Sequence, residues 1–250
     1  MRRYNCLLLT LFLAVTLSFW AEAKLPDYIV FLMTFDEGSG KAVSDLSGYG
    51  NNGEVVGTPK WVDGKYGGAF YFDGKTHITV PNADPLKKLT DPMSVGAWVN
   101  PETLGGWRNI VEMDGAAGWK FGFRNTMLVW TTYHVKDFIG QTVIPTNKWT
   151  HVAAVWDGSK AILYINGEED KGGPIAGGGK INVEKEPSLD IGFRRTSGAS
   201  FYQGAMDDLW VANEALSKSQ IQELMNGFSG LLAVSPSDKL ATTWGDLKSH

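Results

Sequence analysis

From Tyr28 to Asn213 the chain alternates short apolar runs with clusters of glycine, asparagine and aspartate. "YIVFLMTF" (28–35) is a continuous β-branched and aromatic run, and "GAFYFDGKTHITVP" (68–81) reads as strand, Asp73-Gly74 turn, strand. "MSVGAWV", "WRNIVEM" and "WKFGFRNTMLVW" follow, the last bent at Arg124-Asn125. "KWTHVAAVWDGSKAILYINGEE" (148–169) predicts two strands joined at Asp157-Gly158-Ser159, with Asn166-Gly167 turning the second one out. Asn-Gly and Asp-Gly favour the positive φ that tight hairpins need. "PSLDIGFRR" and "YQGAMDDLWVAN" complete about ten strands, the spacing of a β-sandwich or jelly roll. Between Trp149 and Trp156 neither face is polar throughout, so that strand belongs inside a sheet covered on both sides.

One helix is predicted. In "LSKSQIQELMNG", Ser217 and Gln220 form a capping box, Ile221, Leu224 and Met225 lie at helical spacing, and Gly227 is a stop. Its expected place is the end of the sandwich. The segment 229–250 has no clear period and reads as an extended tail, with Trp244 as a possible anchor.

The first 23 residues have a different pattern: Arg2 and Arg3, an apolar run from Leu7 to Trp20, then Ala21-Glu22-Ala23. That is the layout of a cleaved signal peptide, and the run is short for a membrane span. The chain therefore divides into a signal peptide (1–23), one domain (24–228) and a tail (229–250). The expected location is secreted, extracellular or periplasmic, without membrane insertion after cleavage. Cys6 is the only cysteine and falls in the removed segment, so the mature chain has no disulfide or thiolate chemistry. A net charge of −4 without a basic patch argues against nucleic acid as a partner. With 30 glycines, 10 prolines and 43% hydrophobic residues, the remainder is a turn-rich all-β domain able to build a core.

Five stretches occur in order: "FDEGSGKAVSDLSGYGNNGEVVG", "GGAFYFDGKTHITVP", "MSVGAWVNP", "NKWTHVAAVWDGSKAILYINGEE" and "GAMDDLWVANEALSKSQIQEL". Together they resemble the laminin G-like domain of the concanavalin A-like lectin/glucanase superfamily over Tyr28 to Met225. The resemblance implies a jelly roll of two antiparallel sheets, with the last strand beside the first.

That superfamily includes glucanases, whose two carboxylates share one strand face as Glu-x-Asp-x-(x)-Glu. The nearest match is "VEMDGAAGW": Glu112 and Asp114 share a face, but Ala116 or Ala117 stands where the second glutamate is needed. Glu112 then reads as an ordinary strand end. His77, His134, His151 and His250 are scattered, no Gly-x-Ser-x-Gly is present, and "GGPIAGGGK" lacks the ending of a phosphate loop. The expectation is a non-enzyme, with a degenerate polysaccharide hydrolase or lyase as a lesser alternative.

For metal, the opening loop fails as an EF-hand: counted from Asp45, the fifth place is Tyr49 and the twelfth Val56. By resemblance, a structural calcium between the first and last strands would use Asp36 and Asn52 with Asp207 or Asp208. The alternative is that these aspartates cap turns. For a ligand surface, Trp107, Trp119, Tyr133, His134 and Tyr202 stand near turns, where exposed rings contact carbohydrate or protein. Trp119 also shares parity with Phe121 and Phe123, which favours the core, as do the positions of Trp98, Trp149, Trp156 and Trp210. Arg194-Arg195 reads as an offset to local acid or, less simply, as a contact for an acidic sugar. The functional expectation is a secreted lectin-like module with a glycan as partner; an extracellular protein is the alternative.

Overall fold

The computed structural model describes residues 24–81, 86, 89, 91–113, 118–182 and 188–232. The expected signal segment, Asp114, Ala116, Ala117 and Trp244 lie outside the described residues.

Two antiparallel sheets account for the apolar runs. The first has the order β14 (Glu168–Glu169), β13 (Lys160–Ile165), β12 (Thr150–Trp156), β7 (Met93–Pro101), β17 (Gln203–Ala212), β5 (Gly68–Asp73), β4 (Trp61–Asp63). β1 (Ile29–Met33) also joins β17, and β15 (Ile175–Ala176) joins β13. The second sheet runs β11 (Lys136–Val143), β10 (Met127–Thr132), β9 (Trp119–Arg124), β8 (Trp107–Met113), β16 (Leu189–Ile191), β6 (His77–Val80), β3 (Gly53–Val56), β2 (Ala42–Val43). This is the expected all-β jelly roll.

Alternate residues of both sheets meet in one apolar core that includes Phe31, Phe70, Phe72, Val111, Trp119, Phe121, Phe123, Trp130, Met206 and Val211. Each large side chain buried this way contributes roughly 1.5–3 kcal/mol relative to exposure. The helix α1 (Lys218–Leu224) carries the full capping box of Ser217 and Gln220. It does not plug the sandwich end. Ile221 and Leu224 pack with Leu32, Ala153, Val155, Tyr164 and Trp210, so the helix covers the outer face of the first sheet. That cover explains why Thr150–Trp156 is apolar on both faces and buried throughout. Trp149 departs from the core expectation: it is half-buried and lines a shallow cleft on the uncovered part of the same sheet, with Tyr71 and Asn100.

The first and last strands pair, with Phe31 opposite Val211 and Met33 opposite Leu209. The same edge of β17 pairs with β5 from Gln203 to Met206. Asp207 and Asp208 sit where that edge passes from β5 to β1. There Asp208 takes φ 48, and the register against β7 shifts between Asp207 and Trp210.

Candidate functional site

Strand alternation puts one polar row across the outer face of the second sheet. Glu54 pairs with Thr79, Thr79 with Asp190, Asp190 with Glu112, Glu112 with Lys120, Lys120 with Thr131, and Thr131 with Asp137. Their strand neighbours Val55, Ile78, Ile191, Val111, Phe121, Trp130 and Phe138 all point into the core. Period-two geometry therefore turns the polar row away from it.

The middle of the row is covered. Glu112, Asp190 and Lys120 are 0%, 1% and 4% exposed. The segment 192–202 lies over them, tied down by Gly192 N–H to Ile110 C=O (2.8 Å). Arg195 from this segment holds Asp190 through two hydrogen bonds of 2.7 Å, and the Thr79 hydroxyl adds a third at 3.1 Å. Glu112 accepts from Asn109 Nδ2 (2.6 Å) and from the Tyr133 hydroxyl (2.7 Å), with Arg194 Nε at 3.8 Å. Burial pushes the Glu112 carboxyl up to about 7, against the hydrogen bond from Tyr133 and the charges of Arg194 and Lys120. Burial holds Lys120 below the usual lysine range. The Tyr133 hydroxyl is raised by burial and by Glu112, so it stays a donor.

Beside this network opens a cleft of about 520 Å³ lined by Trp107, Lys120, Thr131, Tyr133, His134 and Arg194, among others. Trp107 and Tyr133 are half-buried and His134 is exposed at φ 61. Lys120 Nζ lies 3.7 Å from the centre of the Trp107 ring, a cation–π contact. Farther along the sheet, a second cleft of about 600 Å³ is lined by Asn52, Glu54, His77, Asp190, Phe193 and Arg195, with His77 stacked on Phe193 at 4.4 Å.

Three of the five expected ligand residues thus meet in one cleft, and two do not. Trp119 is fully buried and stacked on Trp130 at 5.2 Å. Tyr202 is fully buried, its hydroxyl donating to Ala205 C=O at 3.0 Å. Neither ring reaches a ligand, because strand parity in one case and a hydroxyl satisfied by main chain in the other place them in the core. Lys120 and Asp190 are not among the residues the sequence singles out, and Arg194 stands there only as an offset to local acid or a contact for an acidic sugar. The alternation W-K-F-G-F and the single charged residue in "SLDIG" are the available signals, but partnership across strands is not written in one strand. Glu112, which the sequence presents as an ordinary strand end, is the buried centre of the row.

The expected metal ligands also divide. Asp36, which follows β1, donates nothing and accepts from Gly68 N–H at 2.6 Å. Asp207 accepts from Tyr66 N–H at 2.9 Å. Asp207 and Asp208 are 0% and 3% exposed, and Oδ1 of the first and Oδ2 of the second have no hydrogen-bond partner among the described residues. Burial pushes Asp207 up to about 7 and Asp208 to about 8; the charge of Asp36 adds to both, and that of Asp207 adds to Asp208. The turn against them admits no side chain: a Cβ on Gly67 would lie 2.4 Å from Asp36 Oδ1, and one on Gly64 2.7 Å from Asp207 Oδ2. Buried carboxylate oxygens left without a donor fit a hard cation such as calcium, which takes oxygen ligands. As placed, the described side chains do not form a closed ligand set of three, so main-chain oxygens would have to complete it. Asn52 is a correction: its Oδ1 accepts from Asp45 N–H at 2.9 Å, and the residue lines the His77 cleft instead. Asp45 organises the opening loop, accepting from the N–H groups of Leu32, Ser47 and Asn51.

A laminin G family model, described as the concanavalin A-like lectin/glucanases superfamily, matches residues 72–222. Among solved structures, domain 4 of AbnA, a GH43 extracellular arabinanase from Geobacillus stearothermophilus in complex with arabinotriose, is 25% identical with a TM-score of 0.65. That match covers 82% of this chain and 100% of the domain. The binding domain of Paraclostridial Mosquitocidal Protein 1 (20% identity, TM-score 0.62) and that of botulinum neurotoxin serotype G (18%, 0.63) share the fold. Each matches 80% or 79% of this chain but only 52% or 50% of its own length. No curated protein sequence matches the chain.

Proposed function

Because the chain belongs to the concanavalin A-like lectin/glucanases superfamily, we propose that it is a non-catalytic glycan-binding module acting outside the cytoplasm. One observation carries the reading: Trp107 and Tyr133 present half-buried rings in the same cleft as Lys120, Thr131 and Arg194. A sugar needs that combination of an aromatic face and fixed polar groups around it. Similarity to an arabinanase domain crystallised with arabinotriose supports it. The signal-like first 23 residues support an extracytoplasmic location.

The non-catalytic part is supported by the engagement of the carboxylates. Glycoside hydrolysis needs one carboxyl to protonate the leaving oxygen and a second to attack or to activate water. Glu112 has Asn109 and Tyr133 on its two oxygens and no exposed surface, while Asp190 is held by Arg195 and Thr79. Asp36, Asp207 and Asp208 are read as holders of a structural calcium ion, which would supply the counter-charge their burial lacks.

Calorimetric titration of the purified protein with a panel of neutral and acidic oligosaccharides, in calcium, tests the reading. Heat of binding that Trp107→Ala removes supports it; no binding by any panel member overturns it. Turnover of a polysaccharide that Glu112→Gln abolishes would overturn the non-catalytic part. A protein partner is the alternative, favoured by the exposed Leu46 and Tyr49 of the opening loop.

A further inference from the structure

We infer that the ligand of the Trp107–Tyr133 cleft carries an anionic group, a carboxylate or a sulfate ester, and that Lys120 and Arg194 are its counter-charges. The inference rests on the glycan-binding reading and names the class of glycan.

Adjacent arginines on the segment over the sheet have opposite fates. Arg195 is closed by its two-pronged bond to Asp190. Arg194 is not: its Nε is buried without a hydrogen-bond partner among the described residues, and Glu112 lies 3.8 Å away. Lys120 stands in the same cleft with its ammonium over the Trp107 ring at 3.7 Å. Its side chain is 5% exposed, and the only carboxylate it is paired with among the described residues is Asp137, at 3.9 Å. That carboxylate is already turned to the Thr131 hydroxyl at 2.5 Å. Distances of 3.8 and 3.9 Å exceed hydrogen-bond reach.

A lysine serving only as a surface offset keeps its ammonium in water. Lys120 instead keeps its ammonium in the cleft, with only the Trp107 ring at 3.7 Å and Asp137 at 3.9 Å as its contacts, both weaker than a charge-assisted hydrogen bond to an anion. The Tyr133 ring lies 5.6 Å from Lys120 Nζ and 5.7 Å from Arg194 Cζ, so both cations face the same space. Lys136 adds a third positive group to the lining against the single acid Asp137. An anionic substituent there would take charge-assisted hydrogen bonds from the exposed part of the Arg194 guanidinium and from the Lys120 ammonium while its sugar ring lies beside Trp107.

The test is calorimetry with three probes: an oligogalacturonate, a sulfated galactan oligosaccharide, and uncharged arabinotriose, each at low and high salt. The expected result is that at least one acidic probe binds about tenfold or more tighter than arabinotriose, as one charge-assisted hydrogen bond suffices to give. The advantage shrinks as salt rises, and the two acidic probes tell carboxylate from sulfate. Lys120→Met and Arg194→Gln are each expected to bring the acidic-to-neutral ratio toward one. Arg194 is 29% exposed in its side chain, so Arg194→Gln carries the test if Lys120→Met lowers the melting temperature. An acidic-to-neutral ratio near one in the native protein overturns the inference and leaves the glycan reading standing. Failure of all three probes overturns both.

Discussion

Glu112 and Asp190 stand directly opposite one another on neighbouring antiparallel strands, both almost wholly removed from water. Like charges so placed repel. The structure separates their roles: Asp190 is matched by a guanidinium, whereas Glu112 is surrounded by neutral donors and by Arg194 at a distance. Arg195→Ala should therefore destabilise the protein by about 1–2 kcal/mol in urea denaturation, after discounting for the half-exposed arginine. The double variant with Asp190→Asn should recover most of that loss.

Two tryptophans from glycine-rich stretches give opposite phenotypes. Trp119→Ala empties a fully buried site in the core and is expected to cost about 3–5 kcal/mol. Trp107→Ala should cost about 1 kcal/mol, through its lost contact with the Lys120 ammonium. Its effect on glycan affinity should be larger, about tenfold or more. Parallel melting curves and titrations of the two variants check both statements.

The acidic pair at the β17 junction predicts an unusual pH response. Asp207 and Asp208 are raised in the folded protein to about 7 and about 8, above the usual carboxylate range. The folded state then holds protons that the unfolded state releases, so stability falls as pH climbs from about 4 through 8. Glu112, raised to about 7, acts in the same direction. In chelator, the melting temperature should decline between pH 5 and pH 9. Calcium should remove the part of the decline owed to the aspartates, and Asp208→Asn should remove the share owed to Asp208, leaving that of Asp207, and abolish the calcium response. A melting temperature indifferent to millimolar calcium at pH 8 would sink the metal reading.

His151 produces the opposite slope. It is buried between Trp98 and Trp210, with neither ring nitrogen bonded among the described residues, and burial lowers it to about 3. Below its ordinary value near 6.5 the unfolded chain takes up a proton that the folded one refuses, so stability falls as pH drops from 6.5 toward 3. His151→Phe should flatten that acid limb when melting temperatures at pH 5 and pH 7 are compared.

The parts of this protein readable in one dimension were those governed by local rules. Continuous β-branched and aromatic runs such as Ile29–Met33 set the strands, Ser217 and Gln220 set the helix start, and Asn166-Gly167 marked a turn. Trp107, Tyr133 and His134 were reached because rings near turns are often exposed. The rest of the cleft was hidden because it depends on register. Lys120, Glu112 and Asp190 come from three strands, and nothing within 107–113 announces that Glu112 will face Asp190 of β16. Asn52 misled for a related reason: it is close in sequence to the first strand's loop, but its oxygen is claimed by Asp45 and it leads into β3, a strand of the other sheet.

The shared edge of β17 also orders events in time. β1 and β5 depend on that edge of β17 and β7 on its other edge, and β17 is the last strand among the described residues. Until Gln203–Ala212 is available, β1 has no partner strand, and β5 and β7 each have one side unpaired. Contacts that close loops this long are slow to form. The domain's completion is thus postponed to its final strand, and a chain cut short before Gln203 would be left with three open strand edges, the surfaces through which unfinished sheets join one another.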